Sequence, residues 1–200
     1  MNGAGIGRVF VASLHQGIAD VLPTRLEFYE NWLNPAGLRD GKIGLAPLAA
    51  VLSFLREEGQ AYDLVTNRAG QYAGDWTLIG MSGIRERAIR ATPVWWRTRW
   101  VLRIARAVVR DGYQHSRAIV RVRKGVATVD LRGSIFCGVR EPVDRHLCGY
   151  YASAIVRLLE RFDLPSTAQV TACRGVGDPR CVLGVTLGGA PPGGASVEQA

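Results

Sequence analysis

The sequence predicts an α+β domain in which a helical N-terminal half packs on an antiparallel sheet of about four to five strands. Two observations carry this. Apolar residues recur every three or four positions as far as Gly112, the period of an amphipathic helix, and every second position from Arg117, the period of a half-buried strand. The two periods are largely segregated along the chain, which favours an antiparallel sheet over an alternating α/β arrangement.

The first helix runs from Arg8 to Val21, with Val9, Phe10, Leu14, Ile18 and Val21 as its apolar stripe. Pro23 ends it, and Thr24 is placed to cap a second helix carrying Leu26, Phe28, Tyr29, Trp32 and Leu33. The run NPAGLRDGKIG is rich in turn formers and reads as a loop. Pro47 suits the first turn of a helix that continues through Leu55 and stops near Gly59. Helical spacing persists from Gln60 to Met81, although Gly70, Gly74 and Gly80 weaken the case for one continuous helix. Met81 to Ala91 has no decisive period. Pro93 then opens the longest helical signal, running to Gly112. Val94, Val101, Ile104, Ala105 and Val108 share one face, and Arg99, Arg103, Arg106 and Arg110 share another.

From Arg117 to Lys124 apolar and basic residues alternate, and VATVDLRG alternates again after Gly125, a hairpin signal. A helix follows from about Leu147 to Phe162, and two further strands, Gln169 to Arg174 and Cys181 to Leu187, flank a turn with Gly175, Gly177 and Pro179. The expected organisation is a single domain over 1–187, with the low-complexity segment 188–200 as a disordered tail.

With 48% hydrophobic and 21% charged residues, 200 residues bury a sizeable core. The best apolar stretch, Gly44 to Leu55, contains Pro47 and falls short of the roughly 18 residues that a membrane span requires. No basic leader precedes an apolar segment, and Asn2 stands where myristoylation needs glycine, so a cytoplasmic location is expected. The 25 basic and 17 acidic residues give +8, and only Lys42 and Lys124 are lysines. Arginine suits bidentate recognition of phosphate or carboxylate. Thirteen basic residues lie between Arg85 and Arg132, yet no helix-turn-helix, RNA-binding or zinc-finger signature accompanies them, so no nucleic-acid partner is expected.

Trp95, Trp96 and Trp100 interleave with Arg97, Arg99 and Arg103. Such a row can stack on a planar ligand or sit at a membrane interface. The commoner use, and the expectation, is that one or two tryptophans pack in the core while the arginines form a solvated face. Under the ligand reading, Trp76, Trp96, Trp100, Arg99 and Arg103 are the candidates for contacting a small hydrophobic or planar molecule. Nucleophile elbow, phosphate-binding glycine loop and dinucleotide fingerprint are all missing from the sequence, and Gly175-Val176-Gly177 lies in a hairpin turn with no helix after it. No catalytic residue is assigned.

The four cysteines follow the spacing Cys137-x10-Cys148-x24-Cys173-x7-Cys181. A reducing compartment disfavours disulfides. Four thiolates suit tetrahedral zinc in a closed structural site, and the same set also serves an iron–sulfur cluster. Cys173 and Cys181 are expected at facing ends of a hairpin, Cys148 at the start of a helix and Cys137 at the end of a strand. Plain burial of Cys137 and Cys148, or redox use of the thiols, is the alternative. His146, two residues before Cys148, is a possible substitute ligand, although a loop histidine is more often solvated. His15 and His115 receive no role.

The stretch from Ser134 to Leu187, and within it YYASAIVRLLERF followed by VTACRGVGDPRCVLGVTL, resembles the C-terminal half of the 4-vinyl reductase domain family. That ending is a helix, a strand finishing in cysteine, a glycine-containing turn with aspartate, a second cysteine and a final strand. The resemblance covers about a quarter of the chain. It implies a fold like that of the small vesicle-tethering subunits of TRAPP complexes, and a homodimer formed through helices. It also implies kinship with the sensory domains of phenol- and xylene-responsive bacterial activators. In those sensors zinc is held by a cysteine at the helix start, a glutamate three residues before a second cysteine, and a third cysteine after the turn. Cys148, Cys173 and Cys181 match the cysteine positions. The glutamate position falls on Val170, a departure that either leaves Cys137 as the fourth ligand of a four-thiolate site or implies that the metal is absent or different.

Three functions follow as expectations. The first is a small-molecule binding or sensory domain, in which Phe28, Tyr29, Trp32, Tyr62, Tyr72 and Trp76 help enclose an apolar aromatic or tetrapyrrole ligand while the metal braces the fold. The second is an accessory or catalytic component of (bacterio)chlorophyll vinyl-group reduction, with arginines binding propionates. The third is a homodimeric interaction scaffold.

Overall fold

Local pattern dictates the first hairpin. Strands β1 (Arg117–Arg123) and β2 (Val126–Arg132) pair antiparallel across Lys124 and Gly125. Both turn residues have positive φ, 47° and 76°, the left-handed pair whose twist matches that of the flanking strands. Ala118, Ala127, Val129 and Leu131 are buried, and Arg117, Arg121, Arg123 and Arg132 remain exposed. The computed structural model describes residues 6–33, 44–139 and 141–188. The predicted loop at 34–44 and tail at 188–200 therefore lie, except for Gly44 and Gly188, outside the described residues.

Strands β3 (Ser166–Ala172) and β4 (Cys181–Leu187) form the second hairpin, and β4 also pairs with β2, giving the antiparallel order β1-β2-β4-β3. The described sheet thus has four strands. β3 begins at Ser166 rather than Gln169. Its first three residues pair with Val185, Thr186 and Leu187 of β4, so backbone hydrogen bonding extends the strand where side-chain alternation gives no signal.

Seven helices are present among the described residues: α1 (Arg8–Val21), α2 (Leu26–Leu33), α3 (Leu45–Glu57), α4 (Gln60–Ile79), α5 (Gly83–Arg90), α6 (Val94–Gly112) and α7 (Gly149–Arg161). Pro23–Arg25 form a 3-10 turn running directly into α2, so Thr24 lies inside that turn and not at a cap. Helix α4 is continuous through Gly70 and Gly74. A Cβ on Gly70 would lie 2.3 Å from the Tyr150 carbonyl oxygen, and one on Gly74 would lie 3.0 Å from Cβ of Arg157. These glycines let α7 seat closely against α4; they are packing positions and not breaks.

The undecided segment at Met81 to Ala91 contains α5. Ser82 caps it, its Oγ accepting from the Arg85 amide at 3.4 Å, and Glu86 pairs with Arg90 one turn on at 3.1 Å. Only Ile89 of this helix is buried, so no apolar stripe marks it in the sequence.

Helix α6 buries Val101, Leu102, Ile104, Ala105, Val108 and Val109. The expectation that one or two of its tryptophans enter the core is not met: Trp95, Trp96 and Trp100 are 55%, 43% and 37% exposed. At 100° per residue Trp96, Arg99 and Arg103 project from the side opposite the buried stripe and Trp100 from its flank, whereas Trp95 is in phase with Leu102 and Val109 and is exposed because it lies in the first turn of the helix. Val94, assigned to the inner face, is 59% exposed because it begins the helix.

One core joins the helices to the sheet. Phe10, Phe136, Tyr150 and Tyr151 form its aromatic centre, with ring centroids 5.0 to 5.5 Å apart. No described helix is long and apolar enough to cross a membrane.

Candidate metal centre

Four separate segments deliver the four cysteines to one end of this core. After β2, Gly133 turns the chain with φ 68°, and Ile135–Cys137 form a single 3-10 turn, so Cys137 ends that turn and not a strand. Cys148 is the N-cap residue of α7, Cys173 directly follows β3 and Cys181 opens β4. The β3–β4 connection is held by the Cys173 amide, which donates to Asp178 Oδ2 at 2.7 Å.

All four cysteines are buried and none is disulfide-bonded. Sγ of Cys137 lies 3.3 Å from Cys148 Sγ, 3.4 Å from Cys173 Sγ and 3.4 Å from Cys181 Sγ. All four sulfurs lie within 4.8 Å of one another. A zinc–sulfur bond of about 2.3 Å gives a regular tetrahedron an edge of about 3.8 Å. The separations from Cys137 are about 0.4 Å shorter than that edge, and with all four sulfurs within 4.8 Å of one another the cluster has the dimensions of a single-ion site.

Backbone donors complete it. The amides of Leu147 and Gly175 donate to Cys173 Sγ at 3.3 and 3.4 Å, and the Arg174 amide donates to Cys181 Sγ at 3.4 Å. Ser134 Oγ lies 3.5 Å from Cys148 Sγ. Behind this shell, the buried Tyr62 hydroxyl donates to the Leu147 carbonyl at 2.8 Å, fixing the segment that supplies one of the amides. Such donors favour thiolate over thiol.

The thiols divide electrostatically. Hydrogen bonds from Cys137 and Cys148, then from Cys181, hold Cys173 below the ordinary thiol range. Hydrogen bonds from Cys137 and Cys148 likewise lower Cys181. Cys148 is pushed up because it donates to Cys137, Cys173 and Cys181 and is buried. For Cys137 the hydrogen bond with Cys148 works downward, but those with Cys173 and Cys181, together with burial, outweigh it. Four negative charges do not share this volume unaided; a divalent cation permits all four to ionise.

His146 is exposed and does not belong to the sulfur cluster. Val170, where the resemblance implies a glutamate, pairs with Leu183 in the sheet and offers no donor. Cys137 provides the fourth sulfur in its place.

The candidate ligand residues fall in different places. Trp76 lines a cavity of about 300 Å³ with Phe10, Val108 and Tyr150. Arg103 lines a different, arginine-rich cavity. Trp96, Trp100 and Arg99 stand on the exposed side of α6, where the Arg99 guanidinium lies 5.5 Å from the Trp95 ring and that of Arg103 lies 4.8 Å from the Trp100 ring. Tyr29 and Tyr62 are core residues, and Phe28 and Trp32 are exposed. Phe10 and Tyr150 are wall residues that sequence reasoning missed, since their helical spacing marks only burial. The sulfur-binding amides of Leu147, Arg174 and Gly175 carry no residue-type signal at all.

No family model and no curated protein matches this chain. Solved structures do share its fold. A trafficking protein particle complex subunit 3 from Naegleria fowleri, covalently bound to palmitic acid, is 14% identical with a TM-score of 0.50, over 68% of this chain and 82% of its own. An H-NOX protein from S. oneidensis in the Fe(II)NO ligation state is 10% identical with a TM-score of 0.57, over 92% of this chain and 100% of its own. The architecture is thus the TRAPP-subunit-like α+β fold that the sequence resemblance implied, shared also with an H-NOX domain.

Proposed function

We propose that this chain is a small-molecule binding domain of the sensory kind, whose terminal hairpin is braced by a structural zinc ion held by Cys137, Cys148, Cys173 and Cys181. The observation that carries this is the convergence of four buried sulfurs within 4.8 Å. Size favours one ion over an iron–sulfur cluster, because a cluster distributes its thiolates over different irons and spreads the sulfurs further apart. Four thiolates leave no open coordination position, so the ion supports the fold and performs no chemistry.

The ligand part draws on two relatives in fold that hold small molecules: palmitic acid in one and NO on Fe(II) in the other. The resemblance to the 4-vinyl reductase domain family, with its aromatic-responsive sensors, supports the same reading. Here the cavity walled by Phe10, Trp76, Val108 and Tyr150 has about 300 Å³, the small end of ligand pockets. That volume suits a single aromatic ring better than a tetrapyrrole. The vinyl-reduction alternative rests on the family resemblance and on no feature of this cavity.

Elemental analysis and an absorption spectrum of protein purified without oxygen test the metal. One zinc per chain and no visible colour are expected; stoichiometric iron overturns the zinc assignment, and the lack of both metals overturns the site. Thermal shift with phenols, fatty acids and tetrapyrroles tests the ligand. A rise with phenols that Trp76→Ala abolishes is expected, and indifference to all three classes overturns the sensory reading.

A homodimer is the second reading. Phe28 and Trp32 of α2 both pack on Phe54 of α3, with ring centroids 5.2 and 5.4 Å apart, yet all three are 38–47% exposed. A second copy covering this patch makes a dimer by light scattering that Phe54→Asp dissociates; a monomeric wild-type protein excludes it.

A further inference from the structure

Five exposed arginines line an open cavity of about 650 Å³ between α6 and the first hairpin: Arg103, Arg106 and Arg110 from the helix, Arg117 from β1 and Arg132 from β2. Spacings of three and four residues put the first three on one side of α6. Arg117 and Arg132 are direct cross-strand partners, a like-charge pairing that destabilises a hairpin.

Among the described residues, little neutralises this group. Asp111 pairs with Arg110 at 2.9 Å, and Asp130 reaches Arg132 only at 3.9 Å. Arg106 spends its Nε–H on the Ala118 carbonyl at 3.1 Å, and Arg103 lies over the Trp100 ring. A guanidinium does not deprotonate, so unlike a carboxylate cluster this one has no titration that relieves its repulsion. A bound anion does relieve it. Planar forks arranged around a concave wall match phosphate oxygens bidentately, and five charges exceed what one carboxylate requires.

We propose that this cavity is an anion site for a phosphate-bearing ligand with two or more negative charges, such as a diphosphate or phosphomonoester group. The site is separate from the sulfur cluster and from the cavity at Trp76, so its test is independent of the function proposed above. The phosphate is either free in solution or on an anionic lipid headgroup, and the experiment distinguishes the two.

Titration calorimetry with inorganic pyrophosphate at low salt, and sedimentation with phosphatidylcholine vesicles with and without phosphatidic acid, form the two arms. In the free-phosphate case pyrophosphate binds one per chain, with affinity falling as salt rises. In the lipid case only phosphatidic acid vesicles bind. In either arm Arg117→Gln and Arg132→Gln each weaken binding about tenfold or more, the loss of one charge-assisted contact. The same variants leave ligand-free thermal stability unchanged or raised, because they remove the cross-strand repulsion. Arg121→Gln, exposed on β1 but not lining the cavity, retains binding. Failure of both arms, binding indifferent to Arg117→Gln and Arg132→Gln, or an equal loss with Arg121→Gln overturns the proposal.

Discussion

The amide of Leu147 donates to Sγ of Cys173 at 3.3 Å, while the side chain of the same leucine closes over the turn that follows that cysteine. A Cβ built on Gly175 would lie 2.7 Å from Leu147 Cδ1 and 3.4 Å from Cys173 Sγ. One residue thus both supplies a hydrogen bond to the sulfur cluster and limits the size of the loop beside it.

Gly175→Ala is expected to cost about 1–3 kcal/mol, the usual range for overpacking a filled site, and to speed metal loss to a chelator. Urea denaturation and a colorimetric zinc-release assay measure the two effects. A variant with wild-type stability and release rate would show that the leucine moves aside freely.

Removing the proposed ion should destabilise the whole domain, because the four sulfurs that would hold it tie the segment after β2, the start of α7 and the β3–β4 hairpin together. A loss of several kcal/mol is expected, consistent with structural zinc sites, which for a chain of this length lowers Tm by about 2–4 °C per kcal/mol. Cys148→Ser should reproduce most of that loss and make the melting curve insensitive to chelator. Equal melting with and without chelator in the wild-type protein contradicts a structural ion.

Gly70→Ala reverses the ordinary sign of a helix substitution. Alanine gains up to about 1 kcal/mol over glycine at an open helix position, but here the new methyl meets the Tyr150 carbonyl oxygen at 2.3 Å and Ser153 Cβ at 2.9 Å. A net loss of about 1–3 kcal/mol is expected from the forced separation of α4 and α7. Gly83→Ala is the control, since nothing lies within 4 Å of its built Cβ, and it should be neutral or slightly stabilising. Chemical denaturation of the pair checks the contrast.

Acid sensitivity should trace partly to Asp20. Hydrogen bonds from Tyr72, then Arg68 and Gln16, lower its pKa from 3.8 to about 2. The folded state therefore favours the carboxylate, and its contribution is present above 3.8 and lost as pH falls toward 2. Asp20→Asn should be less stable than wild type at neutral pH, with the gap closing by pH 2. A gap that is constant across this range contradicts the assignment.

The first hairpin was legible because its information is local: a two-residue period and a Lys-Gly turn specify the pairing without reference to the rest of the chain. The sulfur cluster was legible in its members only. Gaps of ten and twenty-four residues leave convergence to tertiary packing, and Leu147 and Gly175 contribute through backbone atoms that any residue possesses. Helix α6 shows a third situation. Its extent followed from Pro93 and the spacing, but Thr98 turned inward and Trp96 and Trp100 outward, since geometric phase outranks hydrophobicity once a helix is anchored by Val101, Ile104 and Val108. Gly70 and Gly74 misled for the opposite reason, as their value lies in a neighbouring helix that the local window does not contain.

Strand β4 is later in the chain than both of its neighbours, β2 and β3, yet lies between them. Until residues 181–187 are available, neither neighbour has its inner partner, and the sheet has no partial version that grows strand by strand from the hairpin. Such non-local closure is slow and leaves two open edges exposed while it waits. Cys181 arrives with the same strand, so completion of the four-sulfur cluster and insertion of the last strand are one event during biosynthesis. A chain cut after residue 180 forfeits both together, and its expected fate is aggregation or proteolysis.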